Sequence, residues 1–245
     1  MTTIRPPSCL QIELLSDTTF GRGEGTPGIV DTEVEHDEFG LPFISGRTVR
    51  GLLRDSWLSF GNHFPDLCDA SARVLGASRI ISEHVKGGDL HGEGGGRTLE
   101  AGQFTHEHCL LRVGDARLPN LIRRAVRSAL DRKDSYLVPE VVLGGFTDIR
   151  HQTAQKRVTG ASADGTLRAT RVVLRGFVFE SELTWLDGYQ PAVDDLRVLA
   201  MCALATRHGG ALRNRGLGHL RLTLDGNLAS TRRYASTAAR EGHSQ

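Results

Sequence analysis

Just past a glycine at position 46, Val49, Leu52, Leu53, Trp57 and Phe60 recur at three- and four-residue steps. That spacing predicts a helix with one apolar stripe, and such a stripe has to be buried against a second layer. Arg47, Arg50 and Arg54 fall on another stripe of the same helix. The segment leading in, LPFIS at 41–45, reads as extended, and an EFG turn at 38–40 reverses IVDTEVEHD (29–37) into it. Strands thus alternate with one-sided helices. The expected class is an α+β domain whose helices cover one sheet face.

The rest of the chain supplies the other layers. CLQIELLS (9–16) alternates as a first strand. PDLCDASARVLG (65–76) and NLIRRAVRSALDR (120–132) read as helices, with CLLRVGDARL (109–118) a strand between them. Residues 168–186 read as one or two strands. A last helix runs from Pro191 to about Arg207, with Gly209 and Gly210 at its C-cap, and GHLRLTL (218–224) closes the domain. Residues 85–103 read as loop. From Gly144 to Thr166 there is polarity without period, the mark of a long functional excursion. We expect one domain over 1–226, with a thumb-like insertion at about 144–175 and a frayed polar tail at 227–245.

Charge narrows the function. With 30 basic against 29 acidic residues there is no global polyanion signature, so any nucleic-acid site must be a local patch. Four scattered cysteines without a CxxC pair argue against a zinc ribbon or a disulfide framework. His106, His108 and Cys109 do not have the spacing of common zinc sites. No P-loop, GxSxG or HExxH occurs. Reduced thiols, and no apolar run near the ~20 residues of a membrane span, give the expectation of a cytoplasmic protein with no membrane partner.

Three basic stretches stand out. Gly46, Arg47, Arg50 and Arg54 combine a glycine turn, a helix start and guanidinium donors, the parts of a phosphate cradle. RHGGALRNRGLGHLR (207–221) has four glycines (Gly209, Gly210, Gly216, Gly218), four arginines including Arg213 and Arg215, and no acid. The excursion at 146–175 carries Arg150, Lys156, Arg157, Arg168, Arg171 and Arg175 against Asp148 and Asp164. Few rings accompany them, which favours backbone gripping over base reading. Each stretch also reads as an ordinary solvated face or turn. The functional expectation is that the Arg50 and Arg213 stretches fold into a single groove. Acidity is concentrated in Asp31, Glu33, Glu35 and Asp37, which alternate and, if extended, point one way. They could make a divalent-ion or proton-transfer site, or an edge strand guarded by charge.

Two of these motifs carry a resemblance. GLPFISGRTVRGLLR resembles G-x-P-Y-I-P-G-S-S-L-K-G-x-x-R, and GGALRNRGLGHLRL resembles the terminal glycine-rich loop, of the RAMP superfamily of CRISPR-associated proteins. Within it the chain is most similar to the repeated backbone subunit of type III effector complexes, over roughly 9–225. DLCDASARVLG and a basic thumb, TDIRHQTAQKRVTGAS, have counterparts there. The resemblance implies a ferredoxin-like, RRM-type core and subunits stacked along a guide (CRISPR) RNA. It also implies a thumb pushed between guide and target RNA, and contacts with other copies and other RAMP subunits. In catalytic backbone subunits of this kind a loop aspartate cuts the paired target RNA with a divalent ion, and the resemblance implies that role for Asp31, with Mg2+ or Mn2+. Ser45 in place of proline, Arg47-Thr48 in place of Ser-Ser, and Arg50 in place of lysine depart from the pattern while keeping the charge. A non-cutting structural subunit remains an alternative. So does a metal-independent guide-precursor nuclease using His36 or His151, and so does an unrelated enzyme for a small phosphorylated substrate.

Overall fold

The computed structural model describes residues 5–76, 109–132, 136–153 and 165–236. A five-stranded sheet is built from β1 (Cys9–Leu14), β2 (Phe43–Ile44), β3 (Leu111–Arg117), β6 (Val178–Trp185) and β7 (Leu220–Leu224). Its spatial order is β2-β3-β6-β1-β7, and every neighbouring pair is antiparallel. A separate ribbon pairs β4 (Thr147–Gln152) with β5 (Arg168–Val173). The α-helices among the described residues are α1 (Gly46–Phe60), α2 (Cys68–Leu75), α3 (Asn120–Leu130), α4 (Pro139–Phe146), α5 (Val193–Ala205) and α6 (Leu228–Ser236).

Two β-α-β units interlock. β1-α1-β3 is the first and β6-α5-β7 the second, and β6 lies between β1 and β3. Alternation decides which face is core. Leu10, Ile12 and Leu14 of β1, Phe179 and Leu183 of β6, and Leu220, Leu222 and Leu224 of β7 are buried. Facing them are Val49, Leu52, Leu53 and Trp57 of α1, and Val198, Leu199 and Cys202 of α5. Each such side chain contributes about 1.5–3 kcal/mol by leaving water. The opposite face carries Glu13, Glu180, Glu182, Arg112 and Arg221.

Of the two readings of residues 168–186, the two-strand one holds: the strands belong to different sheets and part at Leu174–Phe177. Three expectations are corrected. The excursion from 144 is not without regular structure: Gly144 and Gly145 end α4, and β4 and β5 form a hairpin ribbon. The last sheet-covering helix stops at Ala205, so Gly209 and Gly210 lie beyond its cap, Thr206. Residues 228–236 are helical, not frayed, because the Thr231 hydroxyl is fully buried and accepts the Leu224 N–H at 2.9 Å. Residues 85–103, His106, His108, Lys156 and Arg157 lie outside the described residues.

Candidate nucleic-acid interface

The cradle expected at the start of α1 is already occupied by the protein's own acids. The Gly46 N–H donates to Asp115 Oδ1 at 3.0 Å, and the Ser45 N–H to Glu35 Oε2 at 3.1 Å. Burial would raise the Asp115 carboxyl, but the Gly46 N–H and Arg117 outweigh it and hold it below its usual range. A depressed carboxyl stabilises the fold fully above its unfolded value and loses that contribution as pH falls through the folded one. The stability gap between the protein and D115N in urea titrations is therefore expected to be constant above roughly pH 5 and to shrink below it.

Arg50 and Arg54 are also engaged internally. Arg50 donates to the Leu111 carbonyl and, at 3.1 Å, to Cys109 Sγ. Arg54 Nε donates to Leu75 O at 2.6 Å. Burial, and then the neighbouring Arg50, lower the Arg54 guanidinium from its usual value. The Leu110 N–H adds a bond to Arg73 O at 2.7 Å. Together they stitch the stem leaving α2 to the stem entering β3. Only Arg47 of this stripe is exposed.

This placement overturns the single groove. Arg50 sits at the Leu111 end of β3, which pairs with Trp185. The glycine loop enters β7 at Leu220, which pairs with Leu14. β6 and β1 lie between these strands, so Arg50 and Arg213 occupy diagonal corners of the sheet. A helical arginine stripe looks the same in sequence whether water or a carbonyl meets it.

At the second corner the glycine loop and the ribbon do come together. Segment 207–209 pairs with 218–220, through Gly209 N–H to Gly218 O at 2.9 Å and Leu220 N–H to Arg207 O at 2.8 Å. The loop docks on the chain leaving β1, through Gly218 N–H to Asp17 O and Ala211 N–H to Thr19 O, both 2.9 Å. Gly210 and Gly218 have φ of +78° and +76°, and a Cβ on either would overlap a carbonyl oxygen, of Thr19 or Gly209 respectively. Gly216 also has a positive φ.

Asp17 joins the two parts. Its Oδ2 accepts Arg150 Nη2 at 2.6 Å, and its Oδ1 accepts the Arg175 N–H at 3.1 Å. The hydrogen bond to Asp17 pushes the Arg150 guanidinium above its ordinary value. Arg150 pairs with Asp148 as well, at 2.8 Å, so two carboxylates already neutralise it. Arg213 and Arg215 form the exposed turn at the loop tip. Arg215 Nη1 donates to Gln152 Oε1 of β4 at 2.8 Å. Between loop and ribbon lies a recess of about 200 Å³ lined, among the described residues, by Gln152, Thr153, Gly165, Thr166, Arg168 and Arg215, none of them acidic.

The four alternating carboxylates do not act together. Segment 30–34 makes isolated bridges, one of them parallel, Thr32 to Thr170 of β5. Glu33 is buried and pairs with Arg171 Nε at 2.7 Å, the N–H lying off the line to the oxygen. Glu35 holds Ser45, and Asp37 Oδ1 accepts the N–H groups of Phe39 and Leu41 at 3.1 and 3.0 Å. Asp31 alone is exposed, and its Oδ2 accepts the Ala169 N–H at 2.7 Å. Because Thr32 opposes Thr170, Asp31 stands beside Ala169, whose other neighbour is His151 of β4. Asp31, Ala169 and His151 therefore share one face of the ribbon, with Gln152 and Arg168 on the other. The described residues contain no group of three or more His, Cys, Asp or Glu able to hold a metal.

The open face of the main sheet is a poor phosphate surface. Glu13, Glu180 and Glu182 project from its central strands, and Arg221 is paired with Glu13 at 3.0 Å. Burial, then Glu180 and Asp225, push the Cys9 thiol up to about 11, which registers the negative potential there.

An antiparallel sheet with interlocked β-α-β units, a glycine loop at one corner and a basic ribbon beside it define the class of this protein. The chain belongs to the RAMP superfamily, whose profile matches residues 11–221. Among curated proteins none matches it. Among solved structures, a chain of the Type III-B Cmr-beta complex bound to cognate target RNA is similar at 13% identity and a TM-score of 0.55. The match covers 90% of this chain and 97% of that one. A chain of the same complex in its apo state gives 14% identity, a TM-score of 0.56 and the same coverage. These likenesses show a shared fold. Among the described residues no helix is long and apolar enough to cross a membrane.

Proposed function

We propose that this chain is a guide-RNA-binding backbone subunit of a type III CRISPR effector complex, working in the cytoplasm beside other copies of itself and other RAMP subunits. Its core is read as ferredoxin-like, on the strand order and the two interlocked β-α-β units. The observation that carries the reading is the corner where Arg215 and Arg168 line a recess that has no acid among its described residues, with Arg213 on the same loop tip, in a chain matched by the RAMP profile over 11–221. Phosphates of guide RNA would meet these guanidiniums and the backbone around Gly210 and Gly216, while Gly209 and Gly218, whose N–H groups are bonded internally, shape the loop. Arg47 is a further exposed contact. Gly46, Arg50, Arg54 and Arg150 serve the fold through the bonds described above and are not assigned to RNA.

Asp31 is proposed as the residue that cuts target RNA. The ribose 2′-hydroxyl attacks its adjacent phosphorus, the P–O5′ bond breaks, and the products are a 2′,3′-cyclic phosphate and a 5′-hydroxyl. The hydroxyl proton leaves toward the Asp31 side, and the departing 5′-oxygen takes up a proton. The Ala169 N–H fixes one carboxylate oxygen and so orients the other. DNA lacks the nucleophile and is not cut. A hard divalent ion takes one or two carboxylates and completes its shell with water and phosphate oxygens. The single exposed carboxylate of Asp31 therefore suits Mg2+ or Mn2+ once target RNA supplies the other ligands. When bound, such an ion would offset charge on the phosphoryl oxygens.

In the assembled complex, D31A is expected to slow target cleavage by about 10²–10⁴-fold while leaving target affinity unchanged. Cleavage at the unaltered rate would remove Asp31 from the mechanism. Full target binding by the unsubstituted complex without cleavage at any Mg2+ or Mn2+ concentration would favour a purely structural subunit. One placement supports a metal-independent nuclease instead: His151 shares the ribbon face with Asp31, two interstrand steps away. Cutting of repeat RNA by the isolated protein in EDTA, lost in H151A, would favour that reading.

A further inference from the structure

Two histidines eleven residues apart in the chain lie against each other. His208 and His219 are directly opposed across the 207–209 and 218–220 ladder. Their rings are stacked, with centroids 5.2 Å apart and planes 20° from parallel. Both side chains are exposed. Alternation explains the direction they take. A Cβ at Gly209 would run into Leu52 and Leu220 of the core, so position 208 projects the opposite way, outward. Leu220 is buried, so His219 projects outward with its partner.

We propose that the His208–His219 pair is a stacking platform for one unpaired nucleobase of the bound RNA, a proposal that rests on the RNA-binding reading above. Three observations support it. First, imidazoles are among the rings on which unstacked bases settle, and the pair already has the parallel arrangement that a base would extend. Second, the pair lies at the edge of its ladder and both residues are exposed. Segment 207–209 is the outer member of its ladder, and among the described residues no bridge occupies its far side. Third, the tip of the same loop carries Arg213 and Arg215, cations for the phosphates of the strand whose base would stack. Asp17, whose carbonyl accepts the Gly218 N–H, has its carboxylate engaged by Arg150 and by the Arg175 N–H rather than turned free toward the loop. A metal fits less well. Two rings set face to face are only two ligands, and the described residues offer no group of three.

The platform tolerates any base, because every base has a π-face. The test uses the full chain and single-stranded RNA carrying one 2-aminopurine, whose fluorescence falls on stacking. The doubly substituted H208A/H219A protein is expected to lose about tenfold in affinity and the quenching with it, at an unchanged salt slope. H208F/H219F is expected to restore both. RNA binding and quenching by H208A/H219A equal to those of the parent would overturn the platform alone. Rescue by H208K/H219K but not by the phenylalanine pair would also overturn it, since charge would then suffice. RNA binding by none of the proteins, parent included, would overturn the RNA-binding reading and the platform together.

Discussion

E33A is expected to lose about 3–5 kcal/mol of stability, enough to unfold much of the population at 37 °C. Glu33 has a side chain 3% exposed, and its partner Arg171 is 14% exposed. Removing the carboxylate leaves a guanidinium buried without a counter-charge, and the cost of that exceeds what the pair contributes when intact. Other bonds fail with it. The Thr26 hydroxyl donates to Glu33 Oε2 at 3.1 Å, and the Val34 N–H to Oε1 at 3.0 Å. The 26–34 segment would come away from β5, and Asp31 with it. Urea midpoints for E33A, R171A and the double variant E33A/R171M form the check. The double variant is expected to recover part of the loss, since no unpaired charge remains. Equal losses in all three would mean that packing, not the ion pair, sets the effect.

The second large effect concerns the glycine loop. G218A is expected to destabilise the protein and abolish its RNA affinity, whereas G216A costs only the left-handed backbone penalty of about 1–2 kcal/mol. Both positions have positive φ, +76° and +79°. They differ in their surroundings. A Cβ at 218 overlaps the Gly209 carbonyl oxygen, which accepts no compromise because the Gly209 N–H is tied back to Gly218. A Cβ at 216 meets nothing within 4 Å. Thermal melts and RNA titrations of the two variants would separate local strain from collision with neighbouring backbone. Similar melts for both would mean that the ladder yields easily.

Much of the fold was legible because it was periodic. The α1 stripe, the alternation of β1, and the 38–40 turn, in which the Gly40 N–H bonds Asp37 O at 3.0 Å, follow from local rules. The failures share a cause of a different kind. Whether Arg50 and Arg54 face water depends on two stems 35 residues apart closing over them (Val74 O to Cys109 Sγ is one such contact). Glu33, Glu35 and Asp37 look like a set of ligands until each is assigned a backbone or cationic partner that no local window contains. The helix at 228–236 was hidden by polarity, since hydroxyls, on Thr231 and Tyr234, anchor it. The histidine pair needed the register of a ladder to be known. A sequence signal did exist: a histidine on each flank of a glycine-rich hairpin, with an odd separation and a glycine on the inner side of each.

The stitching of the two stems by Arg50, Arg54 and the Leu110–Arg73 bond has an architectural consequence. The chain departs after α2 and returns before β3 through one doorway, whose two stems are closed by bonds of their own. Widening such a doorway segment twofold raises the closure entropy by only about 0.6 kcal/mol. A lineage built on this scaffold can therefore lengthen, shorten or replace that passage freely, and acquire new neighbours through it, while the corner with the glycine loop stays as it is.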